Sequence, residues 1–73
     1  MNDGQIAVTV TSFGEGRFDA RVPMHAATVA AVLESVGVEA RGRRLALNGH
    51  SAAATVGVVE GDQVTVVPRV QGG

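Results

Sequence analysis

The sequence predicts an α+β domain, a mixed sheet of four to five strands packed on one short helix. Three observations predict it. Residues 5–22 alternate apolar and polar side chains with a period of two, interrupted once at Gly14-Glu15-Gly16. The period then lengthens to about three and a half over Val29, Val32, Leu33 and Val36, which marks one face of a helix. Beyond the helix, β-rich runs punctuated by Asn48-Gly49 and Gly61-Asp62 return to the strand pattern, and 73 residues leave no room for a second domain.

Met1 to Gly4 is polar and is expected to be loose. In the first strand Ile6, Val8 and Val10 point one way and Ala7, Thr9 and Thr11 the other. Arg17 to Val22 forms the second strand, with Phe18, Ala20 and Val22 alternating with Arg17, Asp19 and Arg21. The two make an opening hairpin, and the glycines of its three- or four-residue loop are free to take positive φ. Pro23 ends the second strand. Thr28 is the expected helix N-cap, Gly37 fits the left-handed position just past the helix end, and Val38 can then pack back on Leu33. A helix of about two to three turns does not hold alone in water, so its apolar stripe has to be buried on the sheet.

Arg41 to Arg44 lead into a third strand, Leu45 to Leu47, which stops at the Asn48-Gly49 turn. Ser51 to Val59 is Ala-rich and lacks a clean period, so Thr55 to Val58 stays open between one short helical turn and an edge strand. Gly61-Asp62 turns the chain into a last strand carrying Val64 and Val66. Pro68 then removes a ladder donor, and residues 68–73 read as a flexible tail ending on Gly72-Gly73.

Composition narrows the function. The formal charge is −1 and no basic stripe is interleaved with aromatics, which argues against nucleic-acid or anionic-membrane partners. With no spanning apolar run and no signal-like start, a soluble, unexported, cytoplasmic protein is expected. Cysteine is absent, which removes disulfides, thiolate nucleophiles and thiolate metal sites together. Lysine is absent as well, all six basic residues being arginine, so no side-chain amine here can accept an isopeptide bond. His25 and His50 sit on separate segments without a thiol or paired carboxylates, and no metal site is expected. Gly14-Glu15-Gly16 lacks the further glycine and lysine of a phosphate loop, Ser35 and Ser51 lack a nucleophile context, and Arg41, Arg43 and Arg44 read as a solvated cluster.

The order strand, strand, helix, strand, irregular crossover, strand is the layout of the β-grasp, or ubiquitin-like, fold, in which the first and last strands are central, parallel neighbours. Leu47-Asn48-Gly49, Glu60-Gly61-Asp62-Gln63-Val64 and Pro68-Arg69-Val70-Gln71-Gly72-Gly73 add to that layout, and with their spacing the chain from Ile6 onward resembles the ThiS/MoaD-like sulfur carrier family. The resemblance implies a carrier acted on by enzymes, with no permanently bound cofactor. By the same resemblance, its Gly73 carboxylate is expected to be adenylated with ATP by a ubiquitin-activating-like adenylyltransferase. A persulfide enzyme or sulfide is then expected to convert it to a thiocarboxylate for use by a downstream synthase. Gly72 and Gly73 lack Cβ and can thread a narrow active site. Gln71, Val70, Arg69 and Pro68 complete the inserted tail, and Arg69 can meet acidic groups at a partner's mouth. If the alternation holds, Val67, Thr65, Ala46 and Arg44, with Thr9 and Thr11, lie on the outer sheet face that a partner would dock. Three other readings stay open: the small subunit of a molybdopterin-synthase-like complex, toward which Pro-x-Val-x-Gly-Gly leans; a ubiquitin-like modifier conjugated through Gly73; and a plain interaction domain offering an edge strand.

Overall fold

The opening hairpin consists of β1 (Gln5–Ser12) and β2 (Gly16–Pro23), antiparallel and in register from Gln5 opposite Pro23 to Ser12 opposite Gly16. Its loop is three residues, Phe13 to Glu15, and the strands close on Gly14 and Gly16 at φ of 106° and 120°, a region that L side chains rarely enter. The computed structural model describes residues 4–68, so the loose start expected over Met1 to Gly4 and the tail expected over residues 68–73 lie outside the described residues except for Gly4 and Pro68. After a 3-10 turn at Met24–Ala26 comes α1 (Val29–Ser35), then β3 (Arg43–Leu47), β4 (His50–Ser51) and β5 (Gln63–Pro68). The sheet has five strands in the order β2-β1-β5-β3-β4, with β1 and β5 parallel at its centre. β3 runs antiparallel to both β5 and β4.

The helix is two turns long and depends on its ends. Thr28 is the N-cap as expected, its hydroxyl accepting from the amide of Ala31 at 3.1 Å. The other early amides are met from far along the chain: Val29 donates to the carbonyl of Val56 and Ala30 to that of Ala54, each at 2.9 Å. At the other end Val38 donates to the carbonyl of Leu33 at 3.0 Å and Gly37, at φ 73°, to that of Glu34 at 3.2 Å. That is the two-bond C-terminal motif, with Val38 and Leu33 both buried.

Ser51 to Val59, open in the sequence, forms neither a helical turn nor a strand at Thr55–Val58. It begins with the second residue of β4, turns at Ala54-Thr55, bridges Thr28 through Gly57 and buries Val58. Its backbone carbonyls serve the helix N-terminus, a role set by distant partners and therefore invisible to local periodicity. β4 is an addition to the expected layout. Asn48 and Gly49 take φ of 52° and 85°, the two-residue turn that pairs Leu47 with His50 and extends the sheet by one short edge.

The core lies between the inner sheet face and the helix. Val8 and Val10 of β1, Ala20 and Val22 of β2, and Val64 and Val66 of β5 are all buried against Val29, Val32 and Leu33 of α1. It is built mainly from Val and Ala, with Leu33 among its largest fully buried side chains.

Candidate functional site

Because Val64 and Val66 face the core, Thr65 and Val67 face outward, and the antiparallel pairing with β3 places Arg44 opposite Val67 and Ala46 opposite Thr65. The four residues expected on a docking face are thus two adjacent cross-strand pairs, with Cβ atoms of each pair about 5 Å apart. Thr11 continues the row beside Thr65, and Thr9 stands beside Gln63. Arg44 is exposed while Ala46, Thr65 and Val67 are half-buried by their neighbours within the sheet. With Leu45 and Ser51 three of them, Arg44, Ala46 and Val67, line a shallow hollow. This face is opposite the helix, so a partner docking on it need displace no part of the core.

Pro68 is the last residue of β5 and stands in register with Arg43. The tail expected to begin at residue 68 therefore starts one residue inside the sheet: the missing Pro68 amide ends the ladder, but the residue still occupies its last rung. Arg69, Val70, Gln71, Gly72 and Gly73 lie outside the described residues.

Around this exit is a small polar cluster that sequence reasoning missed. Ser12, only 2% exposed, donates its hydroxyl to Glu15 Oε1, and Arg43 Nη1 donates to the same oxygen, both at 2.5 Å. β5 runs between β1 and β3, so the pair joins the hairpin loop to the start of β3 across the end of β5. The Ser12 hydrogen bond first, and then the Arg43 hydrogen bond, hold the Glu15 carboxyl below its ordinary value of 4.5 against a smaller opposing effect of desolvation, the Arg43 charge adding least. Phe13 beside it is 58% exposed, its amide bonded to the carbonyl of Val66 at 3.0 Å. Arg43 and Glu15 are 28 residues apart, and only the inward phase of Ser12 after Ile6, Val8 and Val10 hinted at a buried hydroxyl needing a partner.

A folded-state value below the unfolded one means that Glu15 adds stability above the unfolded value, and that this contribution is lost as pH falls through the folded one. Glu15→Gln is expected to melt slightly below the parent at neutral pH and to converge on it as the pH falls below about 4.5. Parallel melting-temperature profiles for the two proteins would show that the pair contributes nothing.

The motif residues Asn48 and Glu60-Gly61-Asp62 lie at the opposite end of β5 and tie it in place. Asn48 Nδ2 donates to Asp62 Oδ1 at 3.0 Å, and Asn48 Oδ1 accepts from the amide of Gln63 at 2.9 Å. Asp62 Oδ2 accepts from the amide of Val59, and Glu60 Oε1 from that of Ala7, each at 2.9 Å. Gly61, at φ 86°, donates its amide to the carbonyl of Ala7 at 2.9 Å. These residues fix where β5 enters the sheet, and so where it leaves.

The weaker candidates disperse. Arg43 pairs with Glu15, whereas Arg44, the next residue along the strand, lies on the outer face. His25 and His50 are exposed on different elements, and no cluster of potential metal ligands occurs among the described residues. No helix among them is long and apolar enough to cross a membrane.

Comparison with known proteins agrees with this architecture. The crystal structure of SAMP1 from Haloferax volcanii superposes with a TM-score of 0.75 over 92% of this chain and 99% of that one, at 19% identity. At that identity the likeness is one of fold, the ubiquitin-like β-grasp. No curated protein matches the sequence. The model of the ThiS family matches residues 14–73, which takes in β2, the helix, β3 to β5 and the Gly72-Gly73 pair. The family match supports a role as a small carrier, and the structural match supports the fold alone. By that match over most of its length, the chain belongs to the ThiS family.

Proposed function

We propose that this protein is a cytoplasmic sulfur carrier whose reactive group is the main-chain carboxylate of Gly73. The observation that carries the reading is the family match, which runs through Gly72-Gly73. A carboxylate has no leaving group to surrender to sulfur. One of its oxygens therefore attacks the α-phosphate of ATP in an activating enzyme, releasing pyrophosphate and leaving an acyl-adenylate. Sulfide then attacks the carbonyl carbon, AMP departs with the bonding pair, and a thiocarboxylate remains. A persulfide donor gives an acyl disulfide instead, which a second thiol reduces to the same product. The carrier holds the sulfur as a tethered nucleophile for an acceptor synthase, so it is a co-substrate and not itself an enzyme.

The chain's own residues bind and position. β5 is held at its start by Asn48 and Asp62 and flanked at its end by the Glu15–Arg43 pair, so its last residue, Pro68, is held in place. Arg44, Ala46, Thr65 and Val67 offer the activating enzyme an outer face next to that residue. Binding energy from this face can be used to hold Gly73 at the nucleotide.

Intact-mass spectrometry of the protein recovered from its host, with and without a thiol-alkylating reagent, tests the reading. A gain equal to one oxygen replaced by sulfur, mapped to Gly73 and converted to an adduct by the reagent, is expected. Conjugates on lysines of other proteins, with no such gain, establish the modifier role in its place. A stable complex with a larger synthase subunit assigns the carrier to that assembly.

A further inference from the structure

We propose that β2 is a self-association edge: two copies pair through β2, antiparallel, about a two-fold axis at Ala20, and join their sheets into one. β2 is the outer strand of the sheet and eight residues long, against two for β4 at the other edge. Edges of this length are normally blunted, by charged side chains, proline, bulges or a covering element, because their unpaired backbone groups are a template for another strand.

The backbone phase is fixed by the hairpin. Met24 donates to the carbonyl of Gly4, one rung beyond the Gln5–Pro23 pair, so hydrogen-bonded rungs fall on the even residues of β2. On the other side of β1, the amide of Thr9 bonds to Asp62 and the carbonyl of Ala7 accepts from Gly61, so odd residues of β1 turn away from β2. Arg17, Asp19 and Arg21 therefore present both N–H and C=O to the open edge, and Pro23, which has no N–H, presents only its carbonyl. Proline stands at the one outward rung of β2 where the end of the strand is reached.

The charges select the register. The side chains at those outward rungs are exposed and read Arg-Asp-Arg, charges that keep unrelated strands off the edge but alternate in sign, so that a second copy can meet each with its opposite. Centring the pair on Asp19 sets Asp19 against itself and Arg17 against Arg21, which repels throughout. Centring it on Ala20 sets Asp19 of each copy opposite Arg21 of the other, two opposite-charge pairs flanking the axis, with Arg17 opposite Pro23. Centring it on Phe18 also pairs opposite charges, Arg17 with Asp19, but engages fewer outward rungs of β2. On the inner face the Ala20 register brings Phe18, half-buried in the single copy, beside Val22 of the second copy. The pairing leaves β5 and the outer face at Arg44, Ala46, Thr65 and Val67 uncovered, since β1 lies between them and β2. It is therefore compatible with the carrier role and independent of it.

Sedimentation equilibrium up to about 1 mM protein, together with amide exchange, tests this. The parent is expected to be a reversible dimer in which the Asp19 and Arg21 amides exchange more slowly as concentration rises. Asp19→Arg is expected to weaken dimerisation by about tenfold or more, because two attractive pairs become repulsive. Combining Asp19→Arg with Arg21→Asp restores opposite charges in the Ala20 register and is expected to recover the parent affinity. Circular dichroism checks that each variant folds, and Arg21→Asp replaces Asp19→Arg should the latter not fold. A parent that stays monomeric throughout, an Asp19→Arg variant as dimeric as the parent, or a charge-swapped protein that fails to recover each overturns the proposal. The first of these would leave the edge to a strand from another protein.

Discussion

Deleting Gly73 is expected to abolish thiocarboxylate formation and to leave the melting transition where it is. The deletion does not remove a carboxylate, because Gly72 then supplies one. It withdraws the carboxylate by one extended residue, about 3.5 Å. Attack on the nucleotide needs the reacting atoms within about 3–3.5 Å, and a misplacement of 1 Å can already cost about 10²-fold. A shift several times larger is equivalent to no reaction on the timescale of an assay. Stability is expected to hold, since the buried core among the described residues runs from Ile6 to Val66 and every strand of the sheet ends by Pro68. Incubation with the activating enzyme, ATP and a sulfur source, read by intact mass, gives the first outcome, and a thermal melt the second. A truncated chain that still takes up sulfur at the parent rate would overturn the assignment of Gly73. A lowered melting temperature would show that the residue also serves the fold.

What could be read from the sequence was what local chemistry determines. Alternation gave β1, β2 and β5 their buried faces, and the same alternation placed Arg44, Ala46, Thr65 and Val67 together on the outer one. Thr28, Gly37 and Val38 marked the helix ends because caps act within a few residues. The crossover from Ser51 to Val59 was not legible because its order comes from the helix N-terminus, more than twenty residues back, to which Ala54 and Val56 lend their carbonyls. β4 escaped for a related reason: two residues carry no periodicity, and only pairing with Leu47 and Ala46 makes them a strand. The Asn48 and Asp62 motifs were legible as a pattern, but their role was not. Four hydrogen bonds through the side chains of Asn48, Asp62 and Glu60 show that they anchor β5. The Glu15–Arg43 pair at the other end of β5 had no local signature at all.

Leu33→Ala is expected to have the largest effect on stability of any single substitution in the core. Leu33 is 1% exposed and packs amid valines and alanines, whose short, β-branched or minimal side chains have little freedom to swing into the space it vacates. Truncation of a buried leucine costs about 2–5 kcal/mol, the higher end applying where the site cannot collapse. A domain of 73 residues has about 4–11 kcal/mol in total, so the loss is a large share of it. Leu33 also supplies the carbonyl that accepts from Val38, but that bond is main-chain and survives the substitution, so the cost measures packing alone. Urea unfolding is expected to show a much lower midpoint with an unchanged slope, while Leu33→Met, which conserves volume, should cost less than about 1.5 kcal/mol. A small midpoint shift for Leu33→Ala would mean that the helix settles onto the sheet and fills the space. The substitution also separates fold from site. Leu33 lies on the helix side of the sheet and the outer face on the other, so at temperatures where the variant stays folded it should accept sulfur like the parent. Activity should then fall only with the fraction unfolded, in contrast to the Gly73 deletion, where it falls with the fold intact.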